Sequence, residues 1–204
     1  MRKESLLPLT GLLFVVLLIA SFFVGGEPPD ADSPVQEIVD HYVDNDTEIV
    51  IAAFMFAAAA ISLLVFASYL RKLFGDAQPG ASILPGLVLV GASIIAVGGA
   101  IDTTFLIALV EAAEDIDPVG VQALQALWDN DFIPIALGIL VFIGSAGLAA
   151  ISTGALPKWL GWAAIVIFVA GFAGPVGFVA FPASGVWVIT TSILLSVRGS
   201  RATA

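Results

Sequence analysis

Cysteine is absent from the 204 residues. Without it the chain can build neither a disulfide framework nor a thiolate metal cluster. Charge is scarce too: charged residues make up 12%, with seven lysines and arginines against 17 acids and a formal net charge of -10. That balance argues against an exposed basic surface, so no nucleic-acid partner is expected. Histidine occurs once, as His41 amid carboxylates, which is a weak metal signature. Absent as well are a GxxxxGK phosphate loop, an HExxH metal site, a GxSxG nucleophile context, an ordered EF-hand pattern and a coherent RNA-binding signature. No cofactor is implied, and no catalytic constellation can be named.

Apolar residues are what the chain has in abundance. They make up 59% of it, at a mean hydropathy of +1.06, which is unusual for a soluble core of this length and natural for a chain dissolved in lipid. About 20 apolar residues cross a bilayer as a helix. The runs fall at approximately 6–24, 49–70, 82–110, 132–151, 159–176 and 182–197, and predict an all-α bundle of six transmembrane helices in a single integral membrane domain. The first run follows Met1-Arg2-Lys3, an order shared with signal peptides. Its length, and the Gly25-Gly26 and Pro28-Pro29 that follow, favour an uncleaved span. Cleavage near Ala20 is the alternative, and it would invert the parity.

Charge placement orients the bundle. With six spans, Arg2, Lys3, Arg71, Lys72, Lys158, Arg198 and Arg201 all lie on one side, and they are the chain's entire basic complement. Basic residues near span ends stay in the cytoplasm, so both termini are expected inside. The two connectors on the other side hold 14 of the 17 acids. A prokaryotic plasma membrane is the expected location.

Each acidic connector carries a helical signal. In the first, Ser33-Pro34 reads as an N-cap before a helix start, with Gln36 placed to complete a capping box. Val35, Ile38, Val39, Tyr42 and Val43 recur on one face, leaving Glu37, Asp40 and Asp44 toward water. This predicts a short amphipathic helix on the membrane surface or capping the bundle. In the second, Pro118 ends one helix or starts another, and Val121, Leu124, Leu127 and Trp128 have partial helical spacing. Glu37, Asp40, His41, Asp44, Glu114, Asp115 and Asp117 are the candidate external interaction surface. Asn45-Asp46-Thr47 matches a glycosylation sequon, relevant only where the machinery exists.

Within the spans one acid stands out. Asp102 interrupts the apolar run from Ala81 to Val110, with Thr103 and Thr104 beside it as a candidate intramembrane polar site. A helix centred near Ala92 puts Asp102 at the outer interface; one centred near Val97 buries it in the bundle, where it must be neutral or partnered. Glycines and alanines predict close helix approach, with spans two and three as antiparallel neighbours. Pro182 is expected near the start of the last helix. Trp159, Trp162 and Trp187 suit membrane interfaces, with an internal packing role open for Trp187. Thr190, Thr191 and Ser192 are expected to satisfy one another or the backbone.

Three segments carry a family resemblance: the Leu6 to Val24 span, Glu37-Ile38-Val39-Asp40-His41-Tyr42-Val43-Asp44-Asn45, and Leu156-Pro157-Lys158-Trp159-Leu160-Gly161-Trp162 entering the fifth span. In these the chain resembles the DUF4386-like six-helix membrane proteins of bacteria and archaea. The resemblance implies an integral membrane protein and assigns no catalytic site or substrate. The leading expectation is a noncatalytic membrane component, an assembly, stress-related or sensory module, whose partners are the bilayer and another membrane protein or a second copy. The alternative is a small-solute or proton-coupled transporter working through Asp102.

Overall fold

The computed structural model describes residues 6–77, 82–173 and 177–201, which form eight helices and no strand. In order they are α1 (Leu9–Gly25), α2 (Val35–Asp44), α3 (Asp46–Ala77), α4 (Leu84–Asp115), α5 (Pro118–Trp128), α6 (Phe132–Thr153), α7 (Lys158–Ala170) and α8 (Gly177–Arg201). Arg2 and Lys3, which the sequence places on the cytoplasmic side, lie outside the described residues, as do residues 174–176 at the end of the fifth predicted span and the side chain of Arg201.

Four stretches are long and apolar enough to cross a membrane: Asp46–Ala77, Leu84–Asp115, Pro118–Thr153 and Val179–Arg198. The third runs through the α5–α6 turn, and its charge-free part is α6. α1 and α7 are apolar but shorter, at 17 and 13 residues. At 1.5 Å per residue, α7 measures about 20 Å, against a hydrocarbon core of about 30 Å.

α4 lies between α3 and α6; α1 packs on α3 and α8, and α7 on α6 and α8. Apolar side chains gain little by leaving lipid for one another, so such helices associate through close packing. The α4–α6 contact shows how. A Cβ on Gly138 would sit 2.7 Å from the Ile95 backbone nitrogen and 2.9 Å from the Gly91 carbonyl oxygen, so only glycine lets these backbones meet. Around that contact the main core gathers Leu63, Phe66 and Leu70 of α3, Val88 and Ala92 of α4, Phe142 and Ala146 of α6 and Trp187 of α8. The expected α3–α4 adjacency is present.

Local expectations fare differently. No side chain caps α2, whose N-cap is Pro34; Gln36 instead donates to Asp40 Oδ1 at 2.7 Å, one turn along the same face. Pro182 lies inside α8, in its second turn, where proline removes a single backbone donor from an otherwise intact helix. Trp187 is internal, its Nε1 donating to the Leu160 carbonyl at 2.9 Å and its ring edge-on to Phe142. Trp159 and Trp162 are exposed. Thr190 bonds its own helix at the Val186 carbonyl, 2.8 Å, but the buried hydroxyls of Thr191 and Ser192 have no hydrogen-bond partner. Ser192 instead points at Gly11 of α1, where a missing side chain makes room for it.

Candidate functional site beneath a helical cap

The two short helices form a cap with its own core. α5 starts where Asp117, as N-cap, accepts the Val119 amide at 2.9 Å and Pro118 takes the first turn, where its missing donor costs nothing. One turn apart, Val121 and Gln125 are fully buried; on α2 the equivalent pair is Ile38 and Tyr42. They meet Ile49 of α3 and Leu109, Ala112 and Ala113 of α4, with Leu124 and Trp128 packed around them. This cluster is separate from the core of the bundle.

Gln125 is a polar residue on an apolar stripe, and it is fully used. Its Oε1 accepts the Tyr42 hydroxyl at 2.6 Å. Its Nε2 donates to the Pro29 carbonyl at 3.1 Å and to Asp129 Oδ1 at 2.9 Å. The other oxygen of Asp129 accepts the Ala31 amide at 3.1 Å, and Gln122 donates to the Ala31 carbonyl at 2.9 Å. The first connector is thereby stitched to α5. Burial raises the Tyr42 pKa, and the negative fields of Asp129 and Asp102 push it the same way, against the smaller opposing effect of the bond to Gln125. The tyrosine stays a neutral donor. His41, edge-on to Tyr42 with ring centroids 5.1 Å apart, has its pKa lowered by partial burial.

Asp102 lies where cap meets bundle. It is partly buried, and its Oδ1 accepts the Trp128 indole N–H at 3.0 Å. Asp131, in the turn between α5 and the apolar run of α6, is close enough to Asp102 for their charges to interact. Its Oδ2 is buried without a hydrogen-bond partner, as is Thr103 Oγ1. Burial, and then the Asp102 carboxylate, raise the Asp131 pKa to about 7. Thr104 is exposed and bonds the Ala100 carbonyl at 2.8 Å. Asp102, Thr103 and Thr104 therefore do not converge as a trio; the partner of Asp102 comes from α5.

Of the external surface residues, Glu37, Asp40 and Asp44 of α2 are exposed, and so are Glu114, Asp115 and Asp117. His41 is partly buried against the tyrosine rather than facing out with them. Among the described residues no group of three histidines, cysteines or acids is placed to hold a metal ion. In the sequon, Asn45 Nδ2 donates to the His41 carbonyl at 2.8 Å, so the atom a glycan would modify is engaged in closing α2. The polar residues that sequence reasoning missed are Gln125, Asp129, Asp131 and the Tyr42–Gln125 pairing. The available signal was Gln125 itself, at helical spacing between Val121 and Trp128.

No family model matches the chain, and neither a curated protein nor a solved structure matches it. The resemblance to DUF4386-like proteins rests on the quoted segments alone.

Proposed function

We propose that the chain is a noncatalytic, six-span membrane protein with both termini in the cytoplasm, which works as an assembly or sensory component through its outward acidic cap. The observation that carries this reading is the cap's construction. Two helices with a core of their own are tied to each other and to the first connector by buried and half-buried hydrogen bonds, while the acids of α2 and those leading into α5 remain exposed. Packing of α1 against α3 and α8 supports its retention as the first span, and the one-sided distribution of lysine and arginine supports the orientation. Protease or label accessibility of the connectors in sealed vesicles tests the topology. Crosslinking of full-length protein in native membranes, followed by loss of the captured partner on Glu37→Gln, Asp40→Asn and Asp44→Asn together, tests the role.

A second reading, small-solute or proton-coupled transport, is favoured by one observation: Thr103 Oγ1 and Asp131 Oδ2 are buried and unpartnered near Asp102. Directional flux in proteoliposomes, abolished by Asp102→Asn in protein that still inserts, supports transport. Flux unchanged in that variant removes any essential ionisable role for Asp102.

A further inference from the structure

Among the described residues, the junction between cap and bundle collects acids and no lysine or arginine. No lysine or arginine occurs between Glu4 and Leu70 or between Leu73 and Pro157, so both connectors, α2, α5 and the outer parts of α3 and α4 are without either. The groups facing the junction are Asp102 from α4, Asp129 and Asp131 from the turn after α5, and Tyr42 from α2 with His41 beside it. Asp46 and Glu48 of α3, and Glu111 and Glu114 of α4, are exposed. Asp129 has both oxygens hydrogen-bonded, and Asp102 has the Trp128 indole. Asp131 differs, with a buried oxygen that nothing satisfies next to another carboxylate. Two neighbouring carboxylates with one partly desolvated cannot both hold their charge cheaply, and among the described residues no lysine or arginine is placed to compensate.

We propose that Asp131 is a proton-operated latch: a proton on its buried carboxyl, at the turn that joins the cap to α6, keeps the α2–α5 cap seated on the bundle, and its loss lets the cap lift. Opening would hydrate Asp131 and separate it from Asp102, breaking the Trp128–Asp102 hydrogen bond; the proton goes to water. The sign follows from linkage. The closed state binds the extra proton, because Asp131 titrates near 7 there and near its ordinary 3.8 when hydrated. Closure therefore weakens as pH rises between those values, by at most tenfold in the open–closed equilibrium per pH unit for one proton. His41 acts the other way, since its lowered pKa makes acid favour opening. The latch deepens the sensory reading of the cap, yet its test does not depend on topology, because both faces of a nanodisc see the same buffer.

The absence of cysteine lets spin labels be placed at will. Labels at Ala123 on the exposed side of α5 and at Leu148, exposed near the far end of α6, report the cap-to-bundle distance in full-length protein. At about pH 5 a single narrow distance distribution is expected, and at about pH 8 a second, broader population. Asp131→Asn keeps the shape and removes the charge, so it should hold the narrow distribution at both values. His41→Gln should leave the response in place. An unchanged wild-type distribution between the two pH values overturns the latch. So does a response that survives Asp131→Asn or disappears in His41→Gln. Because the wild-type measurement stands alone, misfolding of a variant cannot shield the proposal, and loss of a captured partner on neutralising α2 bears on the functional reading without bearing on the latch.

Discussion

The bundle and the cap solve the same problem, burying polar groups, in opposite ways. In the bundle, most buried or half-buried serine hydroxyls turn back on their own helix: Ser62 to Ala58, Ser93 to Leu89, Ser145 to Val141 and Ser184 to Ala180, while Thr191 and Ser192 go unpartnered and the Trp187 indole alone among these bonds reaches a neighbouring helix, at the Leu160 carbonyl. Each of those four serines satisfies itself within one turn and joins nothing to anything else. In the cap, hydrogen bonds cross between elements far apart in the chain, Tyr42 to Gln125, Gln125 to Pro29 and Trp128 to Asp102. The bundle is therefore held by backbone proximity, while the cap depends on a polar network. Cohesion in the first is a matter of shape. In the second it is a matter of specific atoms, so it can be altered by chemistry that leaves shape alone.

The largest effect that would sharpen the contrast is expected at the α4–α6 contact. Gly138→Val places side-chain atoms where Ile95 and Gly91 backbone now lie, and a clash with two helix backbones exceeds the 1–3 kcal/mol usual for overpacking. The expected outcome is loss of monodisperse folded protein in detergent, with a large fall in thermal midpoint for whatever remains. If Gly138→Val folds normally, close backbone approach is not what holds the bundle.

Next comes the cap network. Gln125→Ala leaves the Tyr42 hydroxyl and the Pro29 carbonyl without their partner, and a buried polar group so orphaned costs about 1–3 kcal/mol. Hydrogen exchange should accelerate across Val35–Asp44 and Pro118–Trp128 while α4 and α6 keep their protection. Gln125→Leu, apolar and similar in size, should cost less in cohesion than the alanine, because it refills the stripe between Val121 and Trp128. Equal acceleration in α6 would mean that cap and bundle are one cooperative unit and the comparison fails. Trp128→Phe, which keeps an aromatic ring and removes only the donor to Asp102, is expected to loosen α5 by about 1 kcal/mol.

How far this contrast could be read from the sequence depends on the kind of interaction. The all-helical class followed from the hydrophobic runs, and Pro118 marks the start of α5, because those signals are local; α3 and α4 nevertheless run up to seven residues past the runs that announce them. Gly154, at φ +69°, ends α6 between the fourth and fifth predicted runs. α7 is shorter than its predicted run because apolar composition alone does not say where a helix stops within apolar chain. The exposed acids of α2 followed from helical spacing, and so did the buried Ile38 and Tyr42, with Val35 and Val39 half-buried beside them; Val43, expected on the same face, is exposed because it lies at the edge of the stripe. The network did not. Tyr42 and Gln125 are 83 residues apart, and nothing in the neighbourhood of either names the other. Asp102 stands out in the sequence as the one acid in a long apolar run, but the only polar neighbours the sequence sets beside it are Thr103 and Thr104. A carboxylate near the end of a helix is as open to the next element as to its own turn, and here that element is α5.

The smallest expected effect separates the two titrations that the cap contains. His41 is partly buried, and its lowered pKa means the open or unfolded cap binds a proton more readily than the closed one. Its contribution to cap stability is thus fully present above the ordinary value of 6.5 and shrinks as pH falls below it. Asp131 runs the opposite way over an overlapping range, so the wild-type profile of cap exchange against pH, corrected for intrinsic rates, should be flatter than either group alone would make it. Replacing His41 by Gln removes the acid-side loss, and cap protection at about pH 5 should then rise slightly above wild type, by well under 1 kcal/mol for a group this solvated. A fall in protection instead would show that the imidazole's edge contact with Tyr42 matters more than its proton. The sign of one small shift therefore decides whether His41 acts in the cap as a titrating group or as a packing surface for the tyrosine.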